Sequence, residues 1–179
     1  MSSTHTSSIL SPAPGWAKRM PADERLFLGI VVVVAVAMSA FTIGWIFFSS
    51  HNVPTASYPT TPVKFAQQVS AFAAKYGRAD GKVVVPPGKD AYVLAARFTF
   101  YPELVLKAGH RYRIWLSSAD ALHGFSLVGG GENLNLEIAP NHAYGADFTP
   151  AKPGTYLIVC NEFCGLGHHK MTGRITVTS

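Results

Sequence analysis

The longest hydrophobic stretch of the chain is LFLGIVVVVAVAMSAFTIGWIFF, residues 26–48, which holds 23 residues and no charge. A helix rises about 1.5 Å per residue, so this stretch is long enough to cross a hydrocarbon layer of about 30 Å. A cleaved signal peptide is the alternative, but its apolar part is usually only about 7–15 residues long. The pattern therefore favours a retained transmembrane helix over residues 26–48.

Basic residues flank this predicted helix mainly on one side. Lys18, Arg19 and Arg25 precede it, whereas the next basic residue after it is Lys64. Lys and Arg are enriched on the cytoplasmic side of membrane helices. We therefore expect residues 1–25 to be a cytoplasmic N-terminal tail and residues 49–179 to lie on the outer side of the membrane.

Residues 49–90 are predicted to be a linker that contains a short amphipathic helix. The segment SSHNVPTASYPTTPV carries three prolines, which favour an extended chain. The following KFAQQVSAFAAKYG places four apolar side chains at helical spacing and ends in glycine. These side chains are Phe65, Val69, Phe72 and Tyr76.

Beyond residue 90 the pattern changes to short runs rich in β-branched and aromatic residues, separated by Gly, Pro, Asn and Asp turns. The runs are YVLAARFTF, RYRIWLSS, HGFSLV, LNLEI, AYGADFT, GTYLIVC and GRITVTS. About seven strands within some 90 residues are typical of a sandwich or barrel. Residues 91–179 are therefore predicted to form an all-β domain.

The chemistry of the chain is concentrated in VCNEFCGLGHHKM, residues 159–171, which contains both cysteines of the protein. On the outer side of a membrane two cysteines would by default form a disulfide, and a bound metal is one reason to keep them reduced. Cys160, Cys164, His168 and Met171 offer thiolate, imidazole and thioether donors, which suit copper. A mononuclear blue-copper site needs only one Cys, so the second Cys indicates a pair of bridged copper ions.

A bridged pair of copper ions needs a second imidazole. His123 lies at a turn between two predicted strands and precedes Gly124, which permits an irregular backbone. The remaining histidines outside the loop are His5, His51, His110 and His142, which lie in the tail, the linker or predicted turns. Within the loop, His169 competes with His168, and the spacing does not separate them.

The pattern C-x-E-x-C-x-x-x-H-x-x-M, with Ser-x-Asp-x-x-His upstream, resembles the binuclear CuA domain of cytochrome c oxidase subunit II. Over residues 91–179 the resemblance implies a cupredoxin-like Greek-key fold and a mixed-valence dicopper centre. It implies that Cys160 and Cys164 bridge the two coppers. His123 and Met171 would serve one copper, and His168 with the backbone carbonyl of Glu162 would serve the other.

Two features differ from the common mitochondrial type of subunit II. That type has two membrane helices and a Trp/Tyr-rich segment that receives electrons, whereas this chain has one predicted membrane helix and no such segment. The single anchor, HGF at His123 and CGLGH in the loop are similar to the smaller subunit II of ba-type (B-family) oxidases. Glu162 follows the common type, in which this carboxylate helps bind Mg at the interface with subunit I.

The resemblance implies an electron-entry subunit of a proton-pumping haem–copper oxygen reductase in a bacterial or archaeal cell membrane. Its partners would be subunit I, where oxygen is reduced, and a donor such as a cytochrome c or a small copper protein. The chain has no C-x-x-C-H haem motif. We expect no nucleic-acid partner.

Four alternatives remain at this stage. The loop could be a zinc staple of two Cys and two His, or a disulfide formed after copper is lost. The chain could serve a CuA-bearing nitric oxide reductase, or it could be a copper carrier. Its length excludes nitrous oxide reductase, which carries a large propeller domain in the same chain.

The charge of the predicted outer part bears on its electron donor. Residues 49–179 contain 12 Lys and Arg against 8 Asp and Glu. Near the loop, the sequence predicts a largely apolar docking patch of Phe125, Phe163 and Leu166 with Lys170. We therefore expect a donor that is neutral or acidic on its docking face.

Overall fold

A computed structural model of the chain describes residues 20–48 and 54–179. The chain divides into two compact units, with the division after residue 50. Lys18 and Arg19, together with His5 and His51, lie outside the described residues.

The first unit contains helix α1 (Ala22–Phe48), 27 residues long. Asp23 and Glu24 lie in its first turn, where negative charge is favourable because the helix N-terminus is partially positive. None of its side chains is buried, and its mean hydropathy reaches 2.7. By length and composition α1 can cross a membrane, and within the described residues it is the one helix that can.

The second unit is a sandwich of two β-sheets. Its strands are β1 (Ala56–Pro59), β2 (Val83–Val84), β3 (Ala91–Ala96), β4 (Thr99–Tyr101), β5 (Leu104–Lys107), β6 (Tyr112–Ser118), β7 (His123–Gly129), β8 (Glu132–Ile138), β9 (His142–Phe148), β10 (Gly154–Val159) and β11 (Thr172–Thr178). One sheet has the order β1-β9-β6-β3-β4 and the other has the order β2-β5-β11-β10-β7-β8. The predicted all-β fold is confirmed.

Alternation along the strands builds the core between the two sheets. In β3, for example, every second residue is buried, as expected for a strand with one face on a core. Side chains from both sheets fill the interior, and the largest include Ile114, Leu116, Leu127 and Ile158. Burial of this apolar surface is the main stabilising contribution to the sandwich.

The segment between α1 and residue 91 differs from the predicted linker, because most of it belongs to the sandwich. Strand β1 pairs with β9, and β2 pairs with β5. Helix α2 (Pro62–Tyr76) lies between β1 and β2 in the chain. The Thr61 hydroxyl caps its N-terminus by accepting a hydrogen bond from the Lys64 N–H. Its Phe65, Val69 and Phe72 are buried, as the helical spacing predicts.

Candidate metal centre

Two strand ends bring the predicted donors together. Strand β7 begins at His123 and β10 ends at Val159, and the two strands pair antiparallel with Val159 opposite Ser126. In an antiparallel pair, the start of one strand lies beside the end of the other. Cys160, the residue after β10, therefore lies at the same end of the sheet as His123.

The loop that follows β10 carries the remaining donors. It passes through a single 3-10 turn (His168–Lys170) and enters β11 at Thr172. The Cys160 N–H donates to the Met171 carbonyl over 3.1 Å, which closes the loop at its base. This closure holds the first and last donors of the loop side by side.

The side-chain donor atoms form one cluster. The Sγ atoms of Cys160 and Cys164 are 3.8 Å apart. His123 Nδ1 lies 3.9 Å from Cys160 Sγ, and His168 Nδ1 lies 3.8 Å from Cys164 Sγ. Met171 Sδ is 3.7 Å from Cys164 Sγ. All five side chains that the sequence singled out are thus adjacent, with the two imidazoles beside different sulfurs.

Glu162 faces this cluster through its backbone. The Cys160 thiol lies 3.2 Å from the Glu162 carbonyl oxygen and donates to it. The Glu162 side chain is half-buried. The carbonyl is therefore the Glu162 group that the structure places at the sulfur.

Burial separates the two neighbouring histidines of the loop. His168 is half-buried and contacts Cys164, whereas His169 is exposed. The four innermost donors, His123, Cys160, Cys164 and Met171, are each at most 4% exposed. His110 and His142, outside the loop, are exposed.

The His123 ring is held in one orientation by Asp120. His123 Nε2 donates to Asp120 Oδ1 over 2.8 Å, which leaves Nδ1 facing Cys160 with its lone pair available. Burial opposes the charged form of Asp120, yet hydrogen bonds from His123 and from the Arg97 and Ala121 N–H groups keep its pKa below the usual value. Asp120 is therefore an anion that fixes the tautomer of His123.

The environment of the Cys164 thiol opposes its ionisation. Burial, followed by the hydrogen bond and charge of Cys160, raises the pKa of the Cys164 thiol. Both cysteines are free rather than joined in a disulfide. Two buried thiols this close are stabilised as thiolates by a cation placed between them.

Two glycines allow the chain to approach the cluster closely. A Cβ on Gly124 would lie 2.8 Å from the backbone nitrogen of Asn161 and would also overlap the Asn161 side chain, so glycine lets the His123 strand meet the residue after Cys160. A Cβ on Gly167 would overlap the Phe98 ring. Phe98 therefore packs directly against the loop backbone.

Arg97, next to Phe98, is a site residue that sequence reasoning missed. Its Nε donates to the Cys164 carbonyl over 2.8 Å, and its backbone N–H donates to Asp120 Oδ2 over 2.9 Å. Arg97 lies 67 positions before Cys164 in the chain. No local spacing indicates such a contact, and only the topology of the strands reveals it.

The donor set fits copper. Thiolate, imidazole and thioether donors are soft or borderline, and these are the types that copper prefers. Bonds from thiolate sulfur to a first-row metal run about 2.3 Å, as they do for zinc, so two sulfurs 3.8 Å apart can contact the same ion. The sulfurs and His123 Nδ1 form a group in which all donor atoms lie within 4.8 Å of one another. This geometry supports copper binding.

The metal loop itself carries exposed apolar side chains. Phe163 is 76% exposed and Leu166 is 96% exposed, and Lys170 is also exposed. The prediction that Phe125 contributes to this surface is wrong, because Phe125 is fully buried and packs edge-on against Phe100. The apolar surface of the loop is therefore made by the loop itself.

Part of the chain is similar in sequence to known proteins. The chain is 38% identical over 87 residues to cytochrome c oxidase subunit 2 of Thermus thermophilus, which covers 48% of this chain and 63% of the relative. Over these residues the chain is similar to cytochrome c oxidase subunit 2. A protein of Streptomyces coelicolor named as a probable cytochrome c oxidase subunit 2 is 35% identical over 78 residues, or 44% of this chain and 24% of that protein. The matched part thus spans less than two thirds of either relative's length.

Solved structures agree on the fold. A chain of a heme-copper terminal oxidase dimer superposes with a TM-score of 0.54 at 22% identity, covering 87% of this chain and 99% of that chain. Rusticyanin variants superpose with a TM-score of 0.50 at 19% identity, covering 70% of this chain and 99% of theirs. The predicted cupredoxin-like architecture is therefore confirmed. No family model matches the chain.

Proposed function

We propose that this protein is the electron-entry subunit of a respiratory haem–copper oxygen reductase. In this role it accepts electrons from a cytochrome c or a small copper protein and passes them to haem in subunit I, which reduces oxygen and pumps protons. The sequence relationship to cytochrome c oxidase subunit 2 supports the proposal. The ba-type, single-anchor form fits a chain with one helix suited to crossing a membrane in its described part.

The observation that carries the proposal is the pair of buried free thiols with an imidazole beside each sulfur. A zinc staple would gather two Cys and two His around one ion. Here His123 lies against Cys160 and His168 lies against Cys164, an arrangement that suits two ions better than one. A pair of thiolate-bridged coppers supplies reversible one-electron transfer at such a site.

Each donor is assigned a role in this proposal. Cys160 and Cys164 would hold both coppers. His123 and Met171 would hold one copper, and His168 with the Glu162 carbonyl would hold the other. The contact of that carbonyl with Cys160 supports the last assignment. His169 has no role as a ligand, since it is exposed beside a half-buried His168.

The chain's own residues serve to keep this site from rearranging. His123 begins one strand, Cys160 directly follows another, and Met171 directly precedes a third. Asp120 orients the His123 ring through a 2.8 Å hydrogen bond. Because these three donors adjoin strands of the sandwich, little reorganisation would accompany electron transfer at the site, which favours a fast rate.

The membrane arrangement is also part of the proposal. Helix α1 spans the membrane once, with the N-terminus in the cytoplasm and the β-domain on the outer, periplasmic side of a bacterial or archaeal cell membrane. The basic residues before the span support this orientation. The Glu162 carboxylate, which is half-buried, is a candidate Mg ligand at the interface with subunit I.

The donor is expected to dock on the apolar side chains Phe163 and Leu166 rather than on an acidic face. The part of the chain after residue 48 has an excess of basic residues, 12 against 8 acidic ones. Electron transfer from a basic cytochrome c should therefore be slow, and it should not collapse with added salt as a steered association does. Stopped-flow rates with a basic and an acidic cytochrome c, measured against ionic strength, test this expectation.

Copper stoichiometry tests the proposed function itself. The full chain, purified in detergent and loaded with copper, should retain two copper ions after desalting and turn purple. One tightly bound copper with a blue-copper spectrum would contradict the binuclear site. Readily exchangeable copper would indicate a carrier instead.

A further inference from the structure

The turn between β3 and β4, residues 97–98, touches the metal site although it contributes no donor. The Arg97 N–H donates to Asp120 Oδ2 over 2.9 Å, and Arg97 Nε donates to the Cys164 carbonyl over 2.8 Å. The neighbouring Phe98 ring packs on Gly167 of the loop. Three contacts from one short turn thus converge on the site.

These contacts join the two sides of the cluster. Asp120 holds His123 through its other carboxylate oxygen, and His123 lies against Cys160. Cys164 lies against His168 and Met171. Arg97 contacts the His123 side of the cluster through its backbone N–H, which binds Asp120, and the Cys164 side through its side chain. A displacement of Arg97 would therefore change the position of the loop relative to the His123 ring.

Arg97 also brings a permanent positive charge to the loop. A guanidinium stays protonated at every physiological pH. Within residues 20–48 and 54–179, the three ion pairs between Lys or Arg and a carboxylate involve other residues, so no carboxylate lies within 4.0 Å of the charged nitrogens of Arg97. Because the guanidinium is hydrogen-bonded to the Cys164 carbonyl, this charge lies directly beside the backbone of a proposed copper ligand.

We propose that Arg97 is a positioning residue that couples the His123 side of the site to the cysteine loop and raises the reduction potential of the bound copper. The proposal rests on copper binding as put forward above. A fixed positive charge stabilises the state that holds the additional electron, and hydrogen bonds around a ligated cysteine tune the potential of copper sites. Arg97 combines both effects in one side chain.

Two substitutions separate position from charge. Arg97→Met removes both the charge and the hydrogen bond, whereas Arg97→Lys keeps the charge without the planar donor group. Lys107→Met is the matched control. Lys107 pairs with Thr178 at the end of β11 opposite the metal loop, about 20 Å along the strand from Thr172. The Lys107 side chain is exposed.

The first readout needs no copper. In the copper-free full chain, the amide hydrogens of His168, Lys170 and Met171 donate within the loop and report its order. Their exchange should be about tenfold faster in Arg97→Met, the size expected for losing one charge-assisted hydrogen bond. Arg97→Lys should be intermediate and Lys107→Met unchanged. Equal exchange in all four proteins would overturn the positioning role.

The second readout is the reduction potential of the copper-loaded chain, measured by spectroelectrochemistry. Arg97→Met should have a lower potential than the wild type, while Arg97→Lys and Lys107→Met should remain close to it. An unchanged potential in Arg97→Met, or an equal shift in Lys107→Met, would overturn the tuning role. If the wild type itself binds no copper, the proposed function fails, and the exchange experiment still decides the positioning role.

Discussion

Strand β6 connects two groups of polar side chains that differ in how their charge is neutralised. Near its start, Asp147 of β9 accepts hydrogen bonds from Arg113 at 2.9 Å and from Arg111 at 2.6 Å. The hydrogen bond from Arg113 is the main cause that lowers the pKa of Asp147 to about 2. The protein therefore supplies the cations that this carboxylate needs.

Beyond the end of β6, the cysteine cluster shows the opposite behaviour. Burial and then Cys160 raise the pKa of Cys164, and the charge of Arg97 offsets only part of this. The sandwich thus stabilises the charge of Asp147 by itself, whereas thiolates in the cluster would need a bound cation to stabilise them. A carboxylate that neighbouring arginines neutralise serves a structural role. Two buried thiols that face each other without such a partner indicate a metal site.

The largest effect is expected for Cys164→Ser. Serine cannot bridge two coppers, so the variant should lose the binuclear site and retain at most one copper per chain. Metal analysis after desalting measures the stoichiometry, and Cys160→Ser should behave in the same way. Asp147→Asn is the control, because it alters charge at the other end of β6 and should keep both coppers. Two retained coppers in Cys164→Ser would contradict the bridging role.

Asp147→Asn should instead lower stability. Removing the acid leaves Arg111 and Arg113 without their partner and should cost about 1 kcal/mol at neutral pH. Because the pKa of Asp147 is lowered from 3.8 to about 2, its stabilisation is fully present above pH 3.8 and is lost as the pH falls towards 2. Urea unfolding of the copper-free protein and of the variant should therefore converge at low pH. A stability difference at pH 2 that is as large as the one at neutral pH would show that the ion pair is not its cause.

Met171→Leu should have a milder effect than either cysteine substitution. Leucine fills a similar volume in this buried position but lacks the sulfur that lies 3.7 Å from Cys164. A thioether is a weak axial ligand, so its loss should shift the reduction potential while both coppers stay bound. Spectroelectrochemistry and metal analysis of the same sample check both parts. Complete loss of copper would contradict the role assigned to Met171.

The smallest effect is expected for His169→Ala. His169 is exposed, whereas its neighbour His168 lies beside Cys164. The visible spectrum of the copper-loaded variant should match that of the wild type, and His168→Ala should alter it. The reverse result would exchange the roles of the two histidines.

Local sequence was sufficient to predict the donors of the loop. Cys160, Cys164, His168 and Met171 fall within one short segment, so a closed loop brings them together whatever the rest of the chain does. His123 was predicted because a turn and a glycine accompany it. Residue spacing left the choice between His168 and His169 open, and the resemblance to the CuA domain selected His168, which is the more buried of the two.

Other features depended on long-range structure or were misread. The prolines of residues 54–62 suggested a linker, but β1 is an edge strand, where a proline such as Pro59 removes no necessary hydrogen bond. Phe125 lies two residues after His123 and so shares its inward face, a consequence of strand alternation. Arg97 could not have been found from spacing, since it adjoins strands of one sheet while the loop with Cys164 joins two strands of the other sheet.

The central claim is that the buried thiols hold two coppers as one electronic unit. Electron paramagnetic resonance of the copper-loaded full chain in detergent tests it most directly. We predict hyperfine structure from one unpaired electron shared over two copper nuclei. A spectrum from a single copper nucleus, or a bound metal without a copper signal, would contradict it.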